Sequence, residues 1–236
     1  MLRFLALLLF CSSAFACSSY DTLRAARITT YADSAQHGGV WIIGDSHVER
    51  LSMAYQQGAQ ASGGVPFYFS GIAGATWAKL RDCIPWTAIA ATHPSRIILM
   101  AGINDAATGS CCNAYGDGTL AYANTIMDTV TLAREITPDV VLATDPPPEQ
   151  SAGIEPYFVH QSARVVYYVA TIDWTVFGWH STPGPFPFVD QYGAMGVGGN
   201  PASLAYAGGR YAPAGSTLDN VHFPQEGSAS ILRNLQ

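Results

Sequence analysis

Charged side chains are scarce in this sequence. Only 12% of its 236 residues are charged, and Lys79 is the single lysine; a typical domain carries about 25%. The net charge is −6 and no basic run is present, so the positive surface with which proteins bind nucleic acid is missing. Solubility then depends on Ser, Thr, Gly, Asn and Gln, a composition that suits an exported protein better than a cytosolic one.

An apolar run long enough to cross a bilayer is also missing, since a spanning helix needs about 20 residues. The N-terminus instead has Arg3, a short apolar run from Phe4 to Phe10, and the small residues Ala14-Phe15-Ala16. This is the layout of a secretory signal peptide with an A-x-A cleavage site. We therefore expect residues 1–16 to be removed, and the protein to be secreted or periplasmic without a transmembrane segment.

Cysteines are few, five in all, and none has the C-x-x-C or Cys/His spacing that predicts zinc. Cleavage after residue 16 would leave Cys17, Cys83, Cys111 and Cys112 in an oxidising compartment, where disulfides form. Because a bond between neighbours 111 and 112 is strained, we predict at least one disulfide from Cys83 to this pair. Cys17 also permits a lipoprotein anchor, which ranks second because Ala14 stands where lipoprotein signals usually carry leucine.

Motifs of several common enzyme classes are absent. The sequence contains no G-x-x-x-x-G-K-[ST], no G-x-G-x-x-G and no H-E-x-x-H, which argues against phosphate-loop, dinucleotide-binding and zinc-protease sites. It also lacks the G-x-S-x-G turn of ordinary α/β-hydrolase lipases. We expect neither a metal nor an organic cofactor.

Short apolar runs alternate with longer helix-compatible stretches. Near-continuous apolar runs bounded by Gly, Pro or Asp favour buried strands of a parallel sheet that is covered on both faces. The pattern predicts one domain over residues 17–236, an α/β three-layer α/β/α sandwich with a central, mostly parallel sheet of about five strands. The predicted strands are 40–44, 66–71, 96–102, 139–144 and 172–177, and the predicted helices include 46–62, 76–93, 120–136, 155–171 and 226–235.

One long segment, residues 178–217, breaks this alternation. It is rich in Gly, Pro and aromatic residues, and loops of this length are uncommon in compact domains and often functional. The aromatic content argues for packing over disorder, so we predict an ordered loop across one end of the sheet. Trp179 and His180, at its start, are candidates for binding substrate.

Polar turns follow three of the predicted strands, and a fourth precedes the last helix. They read GDSH, SGIAGATW, AGINDAA and LDNVHFPQEG. Because ligands bind beyond the carboxyl ends of parallel strands, we expect Ser46, Gly74, Asn104 and His222 to meet at one edge of the sheet. The alternative for the first turn is a simple helix cap, since Asp and Ser often serve as caps.

The residue types in these turns suit acyl transfer. A serine hydroxyl becomes a useful nucleophile when an imidazole takes its proton. The oxyanion that forms needs preorganised donors, such as a backbone N–H at a glycine and an asparagine amide.

The ordered set of turns resembles the four blocks of the SGNH, or GDSL-type, hydrolase superfamily, which carry Ser, Gly, Asn and His in this order. Gly44-Asp45-Ser46 is similar to the first block, with His47 where many members have leucine, and Gly74 to the second. Gly102-Ile103-Asn104-Asp105 is similar to the third block and Asp219-Asn220-Val221-His222 to the last. The resemblance implies the flavodoxin-like SGNH fold and a serine esterase.

By this resemblance Ser46 is the nucleophile, His222 the general base, and Asp219 the residue that orients the imidazole. The oxyanion hole would be formed by the N–H groups of Ser46 and Gly74 and by the side chain of Asn104. Gly71 competes with Gly74, whose spacing from the strand end is closer to that of the family. His47 is an alternative base, but adjacent residues on such a turn point apart. Asp105 is expected to hold its loop by hydrogen bonds.

The composition of residues 178–217 bears on the substrate. Its aromatics are spaced by Gly and Pro, and it has few Leu, Ile or Val to line an apolar channel. We therefore expect a short-chain, acetyl-type ester of a small molecule or a polysaccharide, with Trp77 bounding the acyl side. The alternative is that these aromatic residues simply pack the loop onto the sheet. The alternative functions are an extracellular O-acyltransferase on sugars, a lipid esterase and a non-catalytic carbohydrate-binding module.

Overall fold

The computed structural model describes residues 39–56, 67–111, 117–148, 152–154, 156–171, 186–191, 217–219, 221–222, 224, 231 and 235. Strands and helices alternate along most of this part of the chain. The strands are β1 (Val40–Gly44), β2 (Phe67–Gly71), β3 (Arg96–Met100), β4 (Val140–Ala143) and β5 (Phe188–Val189). The helices are α1 (Ser46–Gln56), α2 (Trp77–Cys83), α3 (Trp86–Ala90), α4 (Ile103–Thr108), α5 (Asp117–Arg134) and α6 (Pro156–Thr171).

The five strands form one parallel sheet in the order β2-β1-β3-β4-β5. Gly44, the last residue of β1, is paired with Gly71 of β2 on one side and with Met100 of β3 on the other. Strands β1, β2 and β3 therefore end at the same edge, and the segments that follow them leave the sheet side by side. This register is what brings distant parts of the sequence to one site.

Helices cover both faces of the sheet. Alternate residues of β1 face opposite ways: Trp41 and Ile43 join the core beneath α2, α5 and α6, whereas Val40 and Ile42 join a second core with Val48 and Leu51 of α1. Burial of apolar side chains on both faces is what the near-continuous apolar strands require. The predicted α/β/α sandwich with a parallel five-stranded sheet is confirmed.

The predicted helix over residues 76–93 is divided into two. Helix α2 ends at Cys83, and Ile84 takes an extended conformation at φ −67° and ψ 136° before Pro85. The residue that precedes a proline is driven out of the helical region, because the proline ring clashes with its backbone. The chain then turns and α3 starts at Trp86.

Strand β5 lies within the segment predicted as a loop, so that prediction is wrong at residues 188–189. Leu142 is paired with Phe188, and Leu142 N–H donates to Pro187 O at 3.0 Å. Phe186 is buried in the core. A strand of two residues has no apolar alternation to reveal it. The predicted strand at 172–177, together with Trp179 and His180, falls outside the described residues.

Cys83, at the end of α2, and Cys111, which is fully buried, are both disulfide-bonded. The bond predicted between residue 83 and the 111/112 pair stays a prediction, as does the domain boundary at residue 17. Residues 1–16, Cys17 and Cys112 fall outside the described residues. None of the helices described is long and apolar enough to traverse a membrane.

Candidate active site

The turn between β1 and α1 presents Ser46 at the edge of the sheet. Asp45 caps the helix: its Oδ1 accepts the N–H of His47 at 2.9 Å, and its backbone carbonyl accepts the N–H of Glu49 at 3.1 Å. An aspartate at this position satisfies N–H groups that have no partner inside the helix. Ser46 is then the first helical residue and is half-buried. The turn is thus both a cap, through Asp45, and a place where a serine is presented.

The Ser46 hydroxyl lies within hydrogen-bond distance of His222. Ser46 Oγ and His222 Nε2 are 2.7 Å apart, although 176 positions separate the two residues. His222 Nδ1 is 2.8 Å from Asp219 Oδ2 and 3.0 Å from its Oδ1. Because a carboxylate only accepts, Nδ1 carries the hydrogen and Nε2 is left to accept the serine O–H. The three side chains have the geometry of a nucleophile, a base and an orienting carboxylate.

Asp219 is held ionised. Its partial burial alone would raise the pKa, but hydrogen bonds from the backbone N–H and ring of His222 outweigh it and lower the pKa to about 2. The same carboxylate accepts the N–H of Val221 at 3.3 Å and that of His222 at 2.8 Å. One side chain therefore folds the 219–222 turn and orients the imidazole within it.

The backbone N–H groups of Ser46 and Gly74 are the other predicted oxyanion donors. Within the part of the chain that the structure describes, neither Ser46 N–H, in the first turn of α1, nor Gly74 N–H is engaged by a protein acceptor. Gly74 is exposed, with φ at 68°, and a Cβ there would meet nothing within 4 Å. Gly71 differs, because a Cβ on it would lie 2.2 Å from Glu49 N. Gly71 is needed for packing α1 onto β2, which leaves Gly74 as the candidate donor.

Asn104, the third predicted donor, is already engaged. Its Nδ2 donates to Asp45 Oδ2 at 2.9 Å and to Ala75 O at 3.0 Å. Both acceptors are oxygens without hydrogen, so the amide nitrogen faces them and both of its hydrogens are used. In this arrangement the amide joins the turns after β1, β2 and β3, and it would donate to an oxyanion only by giving up one of these bonds.

Trp77 does not bound an acyl site. Its side chain is 0% exposed and lies in the core, its indole N–H donates to Ala101 O at 3.2 Å, and its backbone N–H donates to Asp105 Oδ2 at 3.2 Å. The prediction that it contacts substrate is wrong, because α2 starts at this residue and turns the ring under the sheet edge. Asp105 is buried and binds this helix start, as expected from its place in the third block.

A buried cluster lies directly behind Ser46, made of Asp45, His47 and Asp145. His47 Nδ1 is 3.3 Å from Asp45 Oδ1 and 3.9 Å from Asp145 Oδ1. Asp145 Oδ2 accepts the N–H of Ile103, at the start of α4, at 2.8 Å. Sequence reasoning missed Asp145, although an aspartate directly after a buried strand at this edge was the available signal. Burial next to Asp45 raises the pKa of Asp145 well above its usual value.

The ligand atoms of these three residues all lie within 4.8 Å of one another, which is close enough to surround a cation. The environment of His47 favours another arrangement. Its Nε2 is 3.2 Å from the carbonyl of Val221, and its Nδ1 faces the two carboxyl groups. A metal would have to replace the hydrogen on Nδ1, so the cluster is better described as an ion-pair network.

Comparison with known proteins bears on the fold. No family model matches the sequence, and no curated protein matches it. A Streptococcus pneumonia structure provisionally described as a platelet activating factor aligns over 94% of this chain and 97% of its own, with TM-score 0.58 and 16% identity. Axe2, an acetylxylan esterase from Geobacillus stearothermophilus, aligns over 85% and 94%, with TM-score 0.51 and 18% identity.

A carbohydrate esterase family 3 protein from Talaromyces cellulolyticus gives a similar result, covering 84% of this chain and 94% of its own, with TM-score 0.51 and 18% identity. Both esterases are SGNH/GDSL hydrolases. The parallel sheet, the edge at which the four blocks meet and these alignments agree with the resemblance seen in the sequence, and the chain has the SGNH hydrolase fold.

Proposed function

We propose that the protein is a serine ester hydrolase that works through an acyl-enzyme on Ser46. The observation that carries this proposal is the continuous hydrogen-bond chain from Ser46 Oγ to His222 Nε2 at 2.7 Å, and from His222 Nδ1 to Asp219 Oδ2 at 2.8 Å. Imidazole in the required tautomer, held against a hydroxyl, is what general-base activation of serine needs.

The reaction follows from these contacts. Ser46 Oγ attacks the ester carbonyl as its proton passes to His222 Nε2, and the resulting imidazolium is stabilised by Asp219. The negative charge on the former carbonyl oxygen is received by the N–H groups of Ser46 and Gly74, with Asn104 joining if one of its amide bonds is released. His222 then returns the proton to the departing alcohol. Water, activated by the same imidazole, attacks the acyl-enzyme, releases the acid and restores Ser46.

The site is open to water on the side of its base, because the Asp219 side chain is 44% exposed and that of His222 is 17% exposed. An open site supports hydrolysis over transfer of the acyl group to a sugar. For the ester, we propose a short acyl group on a carbohydrate-like alcohol. This is supported by the small exposed residues Ala73 and Gly74 in the turn after β2, the strand that neighbours β1, by the composition of residues 178–217, and by structural neighbours described as acetylxylan and carbohydrate esterases.

The experiment is a substrate panel with wild-type protein and Ser46→Ala. We expect p-nitrophenyl acetate to be cleaved faster than p-nitrophenyl octanoate, and acetate to be released from acetylated xylan. A fluorophosphonate should add its mass to the peptide that contains Ser46, because such reagents capture activated serines. Wild-type protein without turnover or labelling would contradict the proposal, octanoyl preference would favour a lipid esterase, and acylated sugar in place of free acid would favour a transferase.

The N-terminal pattern supports export as part of the same proposal. Cleavage after Ala16 would start the mature chain at Cys17, and the oxidising compartment would allow a bond between Cys83 and Cys111 or Cys112. N-terminal sequencing of the exported protein and mass spectrometry of non-reduced peptides would check both points. A lipid on Cys17 would favour the lipoprotein alternative.

A further inference from the structure

His47 is the next residue after the nucleophile and points the other way, into the protein. It is 3% exposed. Its Nε2 lies 3.2 Å from the backbone carbonyl of Val221, which immediately precedes His222. The two imidazole rings are 5.2 Å apart between centroids and are tilted by 47°. The start of α1 thus contacts the segment that carries the base at two points, through Ser46 and through His47.

The hydrogens on His47 follow from what its two nitrogens face. The Val221 carbonyl only accepts, so Nε2 carries a hydrogen. Nδ1 faces Asp45 Oδ1 at 3.3 Å and Asp145 Oδ1 at 3.9 Å, and therefore donates as well. An imidazole with a hydrogen on each nitrogen is a cation, and a charged donor makes a stronger bond to a carbonyl than a neutral one does.

The electrostatics of the surroundings agree with this assignment. Burial by itself would lower the pKa of His47, but Asp45, Asp145 and the Val221 carbonyl outweigh it and raise the pKa to about 9. Asp45 comes from the end of β1, Asp145 follows β4, and His222 is the other titratable ring at this position. Asn104 adds a neutral donor on the far oxygen of Asp45.

The segment that carries His222 is shaped by bonds within itself. Leu218 N–H donates to His222 O at 2.7 Å, and Asp219 accepts the N–H groups of Val221 and His222. These bonds shape the turn but do not fix its place. Its outward contacts include the Ser46–His222 bond, an exposed 3.5 Å contact from Arg50 to Asp219, the packing of Val221 on the core, and the His47 bond.

We propose that His47 is a positioning residue for the reaction: as a buried cation it holds the Val221 carbonyl and so fixes the imidazole of His222 against Ser46. This inference rests on the proposed function. His47 does not touch the reacting atoms, so its loss should misplace the base without removing it. Displacement of a catalytic group by about 1 Å can cost roughly 100-fold in rate.

Two substitutions of His47 distinguish the effect of its hydrogen bond to Val221 from the effect of its positive charge. In His47→Gln the amide nitrogen occupies nearly the position of Nε2 and can still donate to the Val221 carbonyl. In His47→Asn the shorter amide remains near Asp45 and does not reach that carbonyl. Both remove the cation and keep a polar group, so the loss of charge is matched between them. His93→Asn, at an exposed position with φ 48° that asparagine tolerates, is the control for the substitution type.

With p-nitrophenyl acetate we expect His47→Asn to lower kcat by up to about 100-fold with KM unchanged, His47→Gln to recover most of that loss, and His93→Asn to match wild type. Equal losses in the Gln and Asn variants, together with equal unfolding free energies, would overturn the positioning role. So would wild-type kcat in His47→Asn. A loss in the Asn variant that appears in KM instead of kcat would overturn it as well.

Imidazole ¹H–¹⁵N spectra of the wild-type protein test the same inference without turnover. Near pH 7.5, between the usual histidine range of about 6.5 and the raised value, we expect hydrogens on both nitrogens of His47. A single hydrogen would contradict the inference, and a spectrum altered by EDTA or Zn²⁺ would favour a metal in the cluster instead. If esters are not cleaved but both hydrogens are present, the proposed function fails while the buried cation stands.

Discussion

The two histidines at this site, His222 and His47, have different hydrogen-bonding roles: the first can accept a proton and the second only donates. Each has a carboxylate at Nδ1, at 2.8 Å for His222 and 3.3 Å for His47. They differ in what Nε2 faces and in burial. His222 Nε2 faces a hydroxyl at the open edge, whereas His47 Nε2 faces a carbonyl inside the protein. A hydroxyl has a proton to give, and a carbonyl does not.

This difference separates a proton acceptor from a fixed cation. The Asp219 side chain is exposed, so water screens its charge. It contacts the His222 ring from one side only, at Nδ1. Asp45 and Asp145 are buried with His47, where no water screens the attraction between the imidazole and the carboxyl groups.

The largest effect is expected for Ser46→Ala. Removing the nucleophile should lower kcat for p-nitrophenyl acetate by about 10⁴-fold or more, while Asp45 continues to cap α1. Steady-state kinetics and a thermal unfolding curve on the same preparation would check this. Retention of most activity by a folded variant would mean that the turn after β1 serves only as a cap.

The next largest effect is expected for Asn104→Ala. Loss of one oxyanion donor typically lowers kcat by about 10²–10³-fold with little change in KM. Because the Asn104 amide also joins Asp45 to Ala75 in this structure, the variant should lose stability as well. Kinetics and urea unfolding separate the two roles.

If Asn104→Ala is destabilised while its kcat is nearly unchanged, then the amide serves only as a brace between the turns. If kcat falls, the amide exchanges one of these bonds for the oxyanion during the reaction.

A smaller effect, on stability instead of rate, is expected for Asp105→Asn in the buried layer. Desolvation raises the pKa of Asp105 to about 7, against 3.8 ordinarily. A carboxyl whose folded pKa is raised contributes stability that is complete below its unfolded pKa and is lost as pH rises through the folded value. Wild type should thus lose up to about 4 kcal/mol from this group between pH 3.8 and 7, at about 1.4 kcal/mol per pKa unit.

Asparagine keeps an oxygen for the N–H of Trp77 but does not ionise, so the variant should lack this part of the decline. Urea unfolding at pH 4 and at pH 7.5 would measure the difference between the two proteins. Parallel pH dependence in both proteins would mean that the pKa of Asp105 is not raised in the folded state.

The smallest effect is expected for Arg50→Gln. The Arg50 guanidinium is 3.5 Å from Asp219 Oδ2, and both side chains are well exposed. Exposed ion pairs contribute between about 0 and 1 kcal/mol, so kcat should change by less than about fivefold, and less still in high salt. A larger loss would show that Asp219 depends on Arg50, and would blur the contrast between its open environment and the buried one.

The parts of the fold set by local chemistry were predictable from the sequence. Four strands were found within two residues of their ends, because each is a short, almost purely apolar run next to a turn. Strand β5 was not, since two residues within a Gly- and Pro-rich segment carry no pattern. The break between α2 and α3 follows from Pro85, which marked it in the sequence, although a continuous helix was predicted.

The site divides in the same way. The four blocks singled out Ser46, Asp219 and His222, and the structure brings Ser46 and Asp219 each within hydrogen-bond distance of His222. The catalytic roles of these three residues stay a prediction. Whether Trp77 faces substrate or core could not be read from its neighbours, because that depends on how α2 rotates at its first residue. The positioning role proposed for His47 depends on its contact with Val221, which is 174 residues away in the sequence. The residues around His47 carry no signal that predicts this contact.

One carboxylate has a consequence for how the active site could change. Asp45 accepts hydrogen bonds from His47 at Oδ1 and from Asn104 at Oδ2. One carboxylate therefore connects the residue proposed to position His222 with the proposed oxyanion donor. Any shift of this carboxylate moves both. If the proposed roles hold, a substitution in the first turn of α1 that shifts Asp45 should therefore change general-base catalysis and oxyanion stabilisation together. We therefore expect changes in ester preference to come from residues around the site and not from Asp45.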